Sequence, residues 1–202
     1  MGKVKGHIMS TVILEEPQLH QWTREDYEKM VEIGIIPSDT RVELIEGKVI
    51  EMSPQKRSHA IAISLTGDML RRLFGEGYTI EIQVPMAADP RSQPEPDIMV
   101  LKGSARDHAE HPATALLLVE VSDASLIYDR TTKMSLYASA GIEDSWILNL
   151  IDEQLEVHRR PIEMNGQAFG YGYADTSIYM SGDVVAPLAM PEQSIQVADI
   201  LP

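Results

Sequence analysis

Two short apolar runs, each marked by one carboxylate, constrain this chain more than any other stretch. The first occupies residues 94–101, where Pro96 and Asp97 precede Ile98, Met99, Val100 and Leu101. The second occupies residues 116–122 and is near-continuously apolar, with Glu120 inside it. Each run has strand length and is apolar enough to be covered on both faces. A carboxylate in such a strand is costly to desolvate unless a partner or a cation meets it. Two of them on successive strands suggest a shared cation.

The next segment supplies a candidate partner. Residues 126–140 read as a helix, with Ser125 or Asp129 as N-cap and Gly141 as its stop. At about 3.6 residues per turn, Lys133 shares a face with Asp129, Leu136, Tyr137 and Ala140, while Thr131, Thr132, Ser135 and Ser139 fall opposite. The lysine therefore sits in the middle of the apolar face. An Asp129–Lys133 pair at i,i+4 would account for it, at about 0.2–0.5 kcal/mol on an exposed surface. So would a side chain that snorkels to the helix edge. The sharper alternative is an ammonium that reaches the carboxylates.

Around this centre the chain reads as follows. Thr23 and Asp26 open a first helix over residues 24–33, stopped by Gly34 and Pro37. Residues 41–51 form a hairpin with Glu46 and Gly47 at its turn. Residues 56–74 form an amphipathic helix with Ile61, Leu65, Met69 and Leu73 in register, stopped by Gly75 and Gly77. Residues 78–87 read as a strand, and the loop over 102–114 carries His108 and His111 without strong metal spacing. After the lysine helix come strands over 144–150 and 154–159, then a glycine- and tyrosine-bearing tail with short strand-like pieces. This order predicts an α/β fold: a mixed central sheet flanked by helices, with additional β hairpins.

Length and composition suit one globular domain over residues 11–202, with a core at about 40–150 and a β extension over 151–202. Residues 1–10, basic and unpatterned, read as disordered or tag-derived. With no cysteine, disulfide and thiolate–metal chemistry are excluded. There is no secretory signal and no apolar run of membrane-spanning length, so a cytoplasmic location with no membrane partner is expected. The net charge of −14 argues against avid, nonspecific DNA binding. It is compatible with a carboxylate-rich site whose charge an ion offsets.

The ordered pieces Glu43-Leu44-Ile45-Glu46-Gly47, Met52-Ser53-Pro54, His59, Pro96-Asp97, Val119-Glu120-Val121-Ser122, Asp129 with Lys133, and Tyr137 through Gly141 to Ile147 resemble the PD-(D/E)XK nuclease superfamily. More closely, they resemble its Uma-type restriction-endonuclease family. Two departures stand out. The superfamily places a lysine two residues after the glutamate, and that position is Ser122 here; the resemblance implies a relocated lysine, matched by Lys133. The family's Ser-Pro-Ser-Thr reads Ser122-Asp123-Ala124-Ser125, and Asp123 bears on how a substrate approaches.

The resemblance implies a restriction-endonuclease-like fold and a Mg²⁺-dependent endonuclease acting on DNA, with Mn²⁺ as substitute. Asp97 and Glu120 match the one or two carboxylates that Mg²⁺ takes, and the Val121 carbonyl is implied as a third ligand. Lys133 would position the water and oppose charge building on the phosphate. Glu43 is implied at the site edge; the alternative is a surface glutamate paired with Arg41 or Lys48. His59 would hydrogen-bond a phosphate or the site carboxylates, or is a plain first-turn histidine. A homodimer is expected, since symmetric pairs are the commonest soluble oligomers. The alternative function is a catalytically inactive member of the fold that serves as a binding or assembly module.

Overall fold

The two apolar runs become neighbouring strands inside a six-stranded sheet. In the computed structural model, which describes residues 19–37 and 39–202, the sheet runs β3 (Tyr78–Ile82), β4 (Ile98–Lys102), β5 (Leu117–Ser122), β6 (Asp144–Asn149), β7 (Gln154–Glu163) and β8 (Tyr171–Met180) in spatial order. Within it β5 and β6 are parallel, and the other neighbouring pairs are antiparallel. A parallel pair needs a crossover. Here it is one continuous helical segment: α3 (Leu126–Tyr128), a π turn (Asp129–Lys133) and α4 (Met134–Ser139). Residues 1–10 lie outside the described residues.

Strand alternation divides the core. Ile98, Val100, Leu117, Val119 and Val121 point to one face, against Ala62, Ile63, Leu70 and Phe74 of α2 (Arg57–Phe74). Met99, Leu101 and Leu118 point to the other, against Met134, Tyr137 and Ala138 of α4. The sheet is thus mixed and helix-covered on both faces, as its apolar runs require.

Three local expectations differ from the structure. The buried stripe of α2 is Ala62, Ile63, Thr66, Gly67, Leu70 and Phe74, and Leu65 is exposed. Ala62, Thr66 and Gly67 share this face with Ile63, Leu70 and Phe74, and at Gly67 the helix lies so close to the sheet that a Cβ would be 3.0 Å from Ile82 Cδ1. A pattern of large apolar side chains alone places the stripe one position off. Ser135 is buried rather than outward, because the chain around β8 folds over α4. Its hydroxyl donates to the Tyr171 carbonyl at 2.7 Å and accepts from the Phe169 N–H at 2.9 Å. The strand expected over 78–87 stops at Ile82, where Gln83 takes a left-handed backbone with φ 52°.

The N-terminal elements sit beside the sheet. α1 (Arg24–Glu32) begins with a capping box between Thr23 and Asp26. β1 (Val42–Ile45) and β2 (Lys48–Glu51) form a separate hairpin. Glu46 and Gly47 turn it with φ 53° and 72°, as a tight two-residue loop demands. Two hydrogen bonds between Leu44 and Gln93 pin this hairpin to the segment that leads into β4. Among the described residues no helix is long and apolar enough to cross a membrane.

Candidate active site

Glu120 alternates with Leu118 and Ser122 along β5, so it emerges on the α4 face of the sheet. Ile98 pairs with Val119. One step further along this antiparallel register, Asp97 faces Glu120 from just before β4. The Asp97 carboxylate is buried and held from three sides. Its Oδ2 accepts the Val121 N–H at 2.8 Å, and its Oδ1 accepts from Gln83 Nε2 at 3.0 Å and from His59 Nε2 at 3.3 Å. A carboxylate can only accept here, so the His59 proton sits on Nε2.

Glu43 comes from β1, all four residues of which are buried. It does not pair with Lys48, which binds Glu46 at 2.7 Å. Its Oε2 lies 3.1 Å from Lys133 Nζ and accepts the Glu95 N–H at 3.3 Å. Lys133 ends the π turn, a deviation often found at functional positions in helices. It neither snorkels nor binds Asp129. It is buried, with its ammonium between Glu43 and Glu120, the latter at 3.2 Å. Asp129 instead accepts hydrogen bonds from Ser122 at 2.5 Å and Ser125 at 2.6 Å, which tie the end of β5 to the π turn.

The electrostatics of the two acids diverge. Burial pushes Glu120 up to about 8, aided by the Asp129 and Asp97 charges and opposed by Lys133. Burial would also raise Asp97, but His59, the Val121 N–H and Lys133 hold it below the usual carboxylate range. Burial would lower Lys133; Glu120, Glu43, Asp129 and Asp97 outweigh it and keep the ammonium charged.

These groups line one cavity of about 260 Å³, together with His59, Val121 and Tyr128. Exposed residues of its wall include Ser53, Pro54 and Gln55. Asp123 also lines it and binds Lys56 at 3.0 Å. Among the described residues no group of three or more His, Asp or Glu is arranged to hold a metal ion. The donor set therefore does not suit a many-ligand cage. An ion that keeps several waters and takes one or two protein carboxylates, as Mg²⁺ does, asks for fewer protein ligands. Asp97, Glu120 and the Val121 backbone are the groups available for it.

The structure thus brings together Glu43, His59, Asp97, Glu120, Val121 and Lys133. Two further residues join them. Gln83 reaches Asp97 only because its left-handed backbone turns the chain at the end of β3; nothing in its local sequence signals this. Tyr137 was legible as a neighbour of Lys133 from i,i+4 spacing. Its hydroxyl goes instead to Glu120 Oε1, at 2.5 Å. His108 and His111 line a different cavity.

A family model described as "Putative restriction endonuclease", Uma2, matches residues 24–198. No curated protein matches the chain. Among solved structures, the chain is similar to one from Anabaena variabilis described as a "putative nuclease belonging to DUF820". The two share 14% sequence identity and a TM-score of 0.64, over 88% of this chain and 96% of that one. At that identity the likeness is one of fold.

Proposed function

From the premise that the chain belongs to the Uma2 family, we propose that it is a Mg²⁺-dependent endonuclease hydrolysing phosphodiester bonds of DNA, with Mn²⁺ as substitute. The observation that carries this reading is Lys133, buried with its ammonium 3.1 Å from Glu43 and 3.2 Å from Glu120, in the cavity that Asp97 also lines. Asp97 and Glu120 would hold the cation, with the Val121 carbonyl as a third oxygen donor. A bound divalent ion polarises a phosphoryl oxygen and makes its water more acidic.

The chain's own groups supply the rest. Lys133 orients the attacking water and opposes negative charge as it builds on the phosphate. Glu43 and Glu120 hold the ammonium in the pocket before substrate arrives, so the charge that opposes the phosphate is already at the site. His59, Gln83 and the Val121 N–H keep Asp97 ionised and aimed. Tyr137 fixes one oxygen of Glu120. His59 lines the cavity as well; its Nε2 proton serves Asp97, so a hydrogen bond to a substrate phosphate would need a second proton on Nδ1. Two copies in a symmetric pair would offer one such pocket to each strand of a duplex.

Incubation of plasmid with Mg²⁺ or Mn²⁺ tests the reading. Wild type should cut, and Lys133→Ala should cut about 10²–10³-fold more slowly. Equal cleavage by both proteins would reject it. Plasmid left intact by wild type with either ion would favour the binding-module alternative.

A further inference from the structure

Among the described residues the Tyr128 hydroxyl is buried without a hydrogen-bond partner, although the residue lines the cavity that holds Glu43, Glu120 and Lys133. An unpaired buried donor is costly and calls for a reason. The other acids of the pocket are well served. Asp97 has three donors, Glu120 has Tyr137 and Lys133, and Asp129 has two serines. Glu43 is different. Its side-chain partner is Lys133, which it shares with Glu120; its other contact is the Glu95 N–H at a long 3.3 Å. Any movement of the ammonium toward a phosphate leaves Glu43 short of a donor. Burial raises the Tyr128 phenol, and among the surrounding charges Glu43 contributes most to that rise. The hydroxyl therefore keeps its proton in the same cavity as the acid that stands to lose one partner.

Resting on the nuclease reading above, we propose that Tyr128 is a positioning residue whose hydroxyl hydrogen-bonds Glu43 when the Lys133 ammonium turns to the substrate phosphate. No covalent bond changes in this step; one donor to Glu43 replaces another. The unpaired hydroxyl of the resting site is then a reserve for the reacting one.

A thermal-unfolding cycle tests this without any cleavage assay. In wild type, Tyr128→Phe should leave the melting midpoint unchanged or raise it, because it removes an unpaired polar atom. In the Lys133→Met background the hydroxyl should already serve Glu43. There the same change should lower the midpoint by about 2–4 °C. Equal shifts in both backgrounds would overturn the proposal. Should Lys133→Met fail to fold, cleavage kinetics of Tyr128→Phe decide. The expected result is kcat down about tenfold with KM within about twofold, and a smaller effect of Tyr128→Phe when it is made in a Glu43→Gln background. A wild-type kcat in Tyr128→Phe overturns it. If instead Lys133→Ala cuts as fast as wild type, the nuclease reading itself falls, whatever the unfolding cycle gives.

Discussion

Glu43 of the N-terminal hairpin and Lys133 of the π turn meet at 3.1 Å, each with only about 3% of its side chain exposed. Removing one member of a buried pair costs more than the pair itself contributes, because the other charge stays behind. Lys133→Met should therefore lose about 3–5 kcal/mol of stability at alkaline pH. The loss should shrink as the pH falls. Glu120, already pushed up to about 8 by burial, would take up a proton more readily in the folded state than in the unfolded one. A raised folded-state value adds stability below it and loses that stability as pH rises through it. Urea unfolding of wild type and variant at pH values on either side of 8 checks the trend.

Metal binding should depend on both acids. Calorimetry with Mg²⁺ or Mn²⁺ should show a heat of binding that Asp97→Ala and Glu120→Ala each abolish. Unchanged affinity in both variants would remove the shared-cation site.

The hydroxyl of Tyr137 holds one oxygen of Glu120. Tyr137→Phe keeps the packing and deletes that bond. Outer-shell partners of this kind are worth about 10–100-fold in metal affinity or activity. The expected result is a drop of that size in Mn²⁺ affinity, with the far-ultraviolet circular dichroism unchanged.

Away from the pocket, His158 is buried on β7, and burial lowers it to about 4. Its Nδ1 faces the Thr176 hydroxyl at 3.1 Å, while its Nε2 has no partner within hydrogen-bond reach among the described residues. The unfolded chain takes up this proton near pH 6.5 and the folded one only near 4. Stability from this residue is thus complete above about 6.5 and is lost as pH falls toward 4, by about 3 kcal/mol. His158→Gln should flatten that part of the curve in urea titrations at neutral and mildly acidic pH.

The hairpin turn positions Glu43. Gly47 has φ 72°, and a Cβ there would meet the Gln21 Cβ at 2.6 Å. Gly47→Ala should cost about 1–2 kcal/mol from backbone strain alone, with more from that clash. Thermal unfolding gives the cost. Slower plasmid cleavage would follow from a displaced Glu43.

Much of the centre was legible in the order of residues. Period-two alternation places Glu120 with Leu118, and Asp97 with Met99, on one face of the sheet; helical spacing aims Lys133 at that face. These are local rules, and the chain cannot disobey them without exposing its apolar runs. Residue order alone yields two carboxylates on neighbouring strands, a lysine on the apolar face of a helix and the mixed sheet beneath them. Long-range packing settles that Lys133 lies between Glu43 and Glu120 rather than against Asp129 or at the helix edge, that Gln83 and Tyr137 complete the acids' hydrogen bonds, and that Ala62, Thr66 and Gly67 of α2 face the sheet. Each of those outcomes depends on how closely two distant segments pack. Such a distance is set by the whole core at once, so no local periodicity records it.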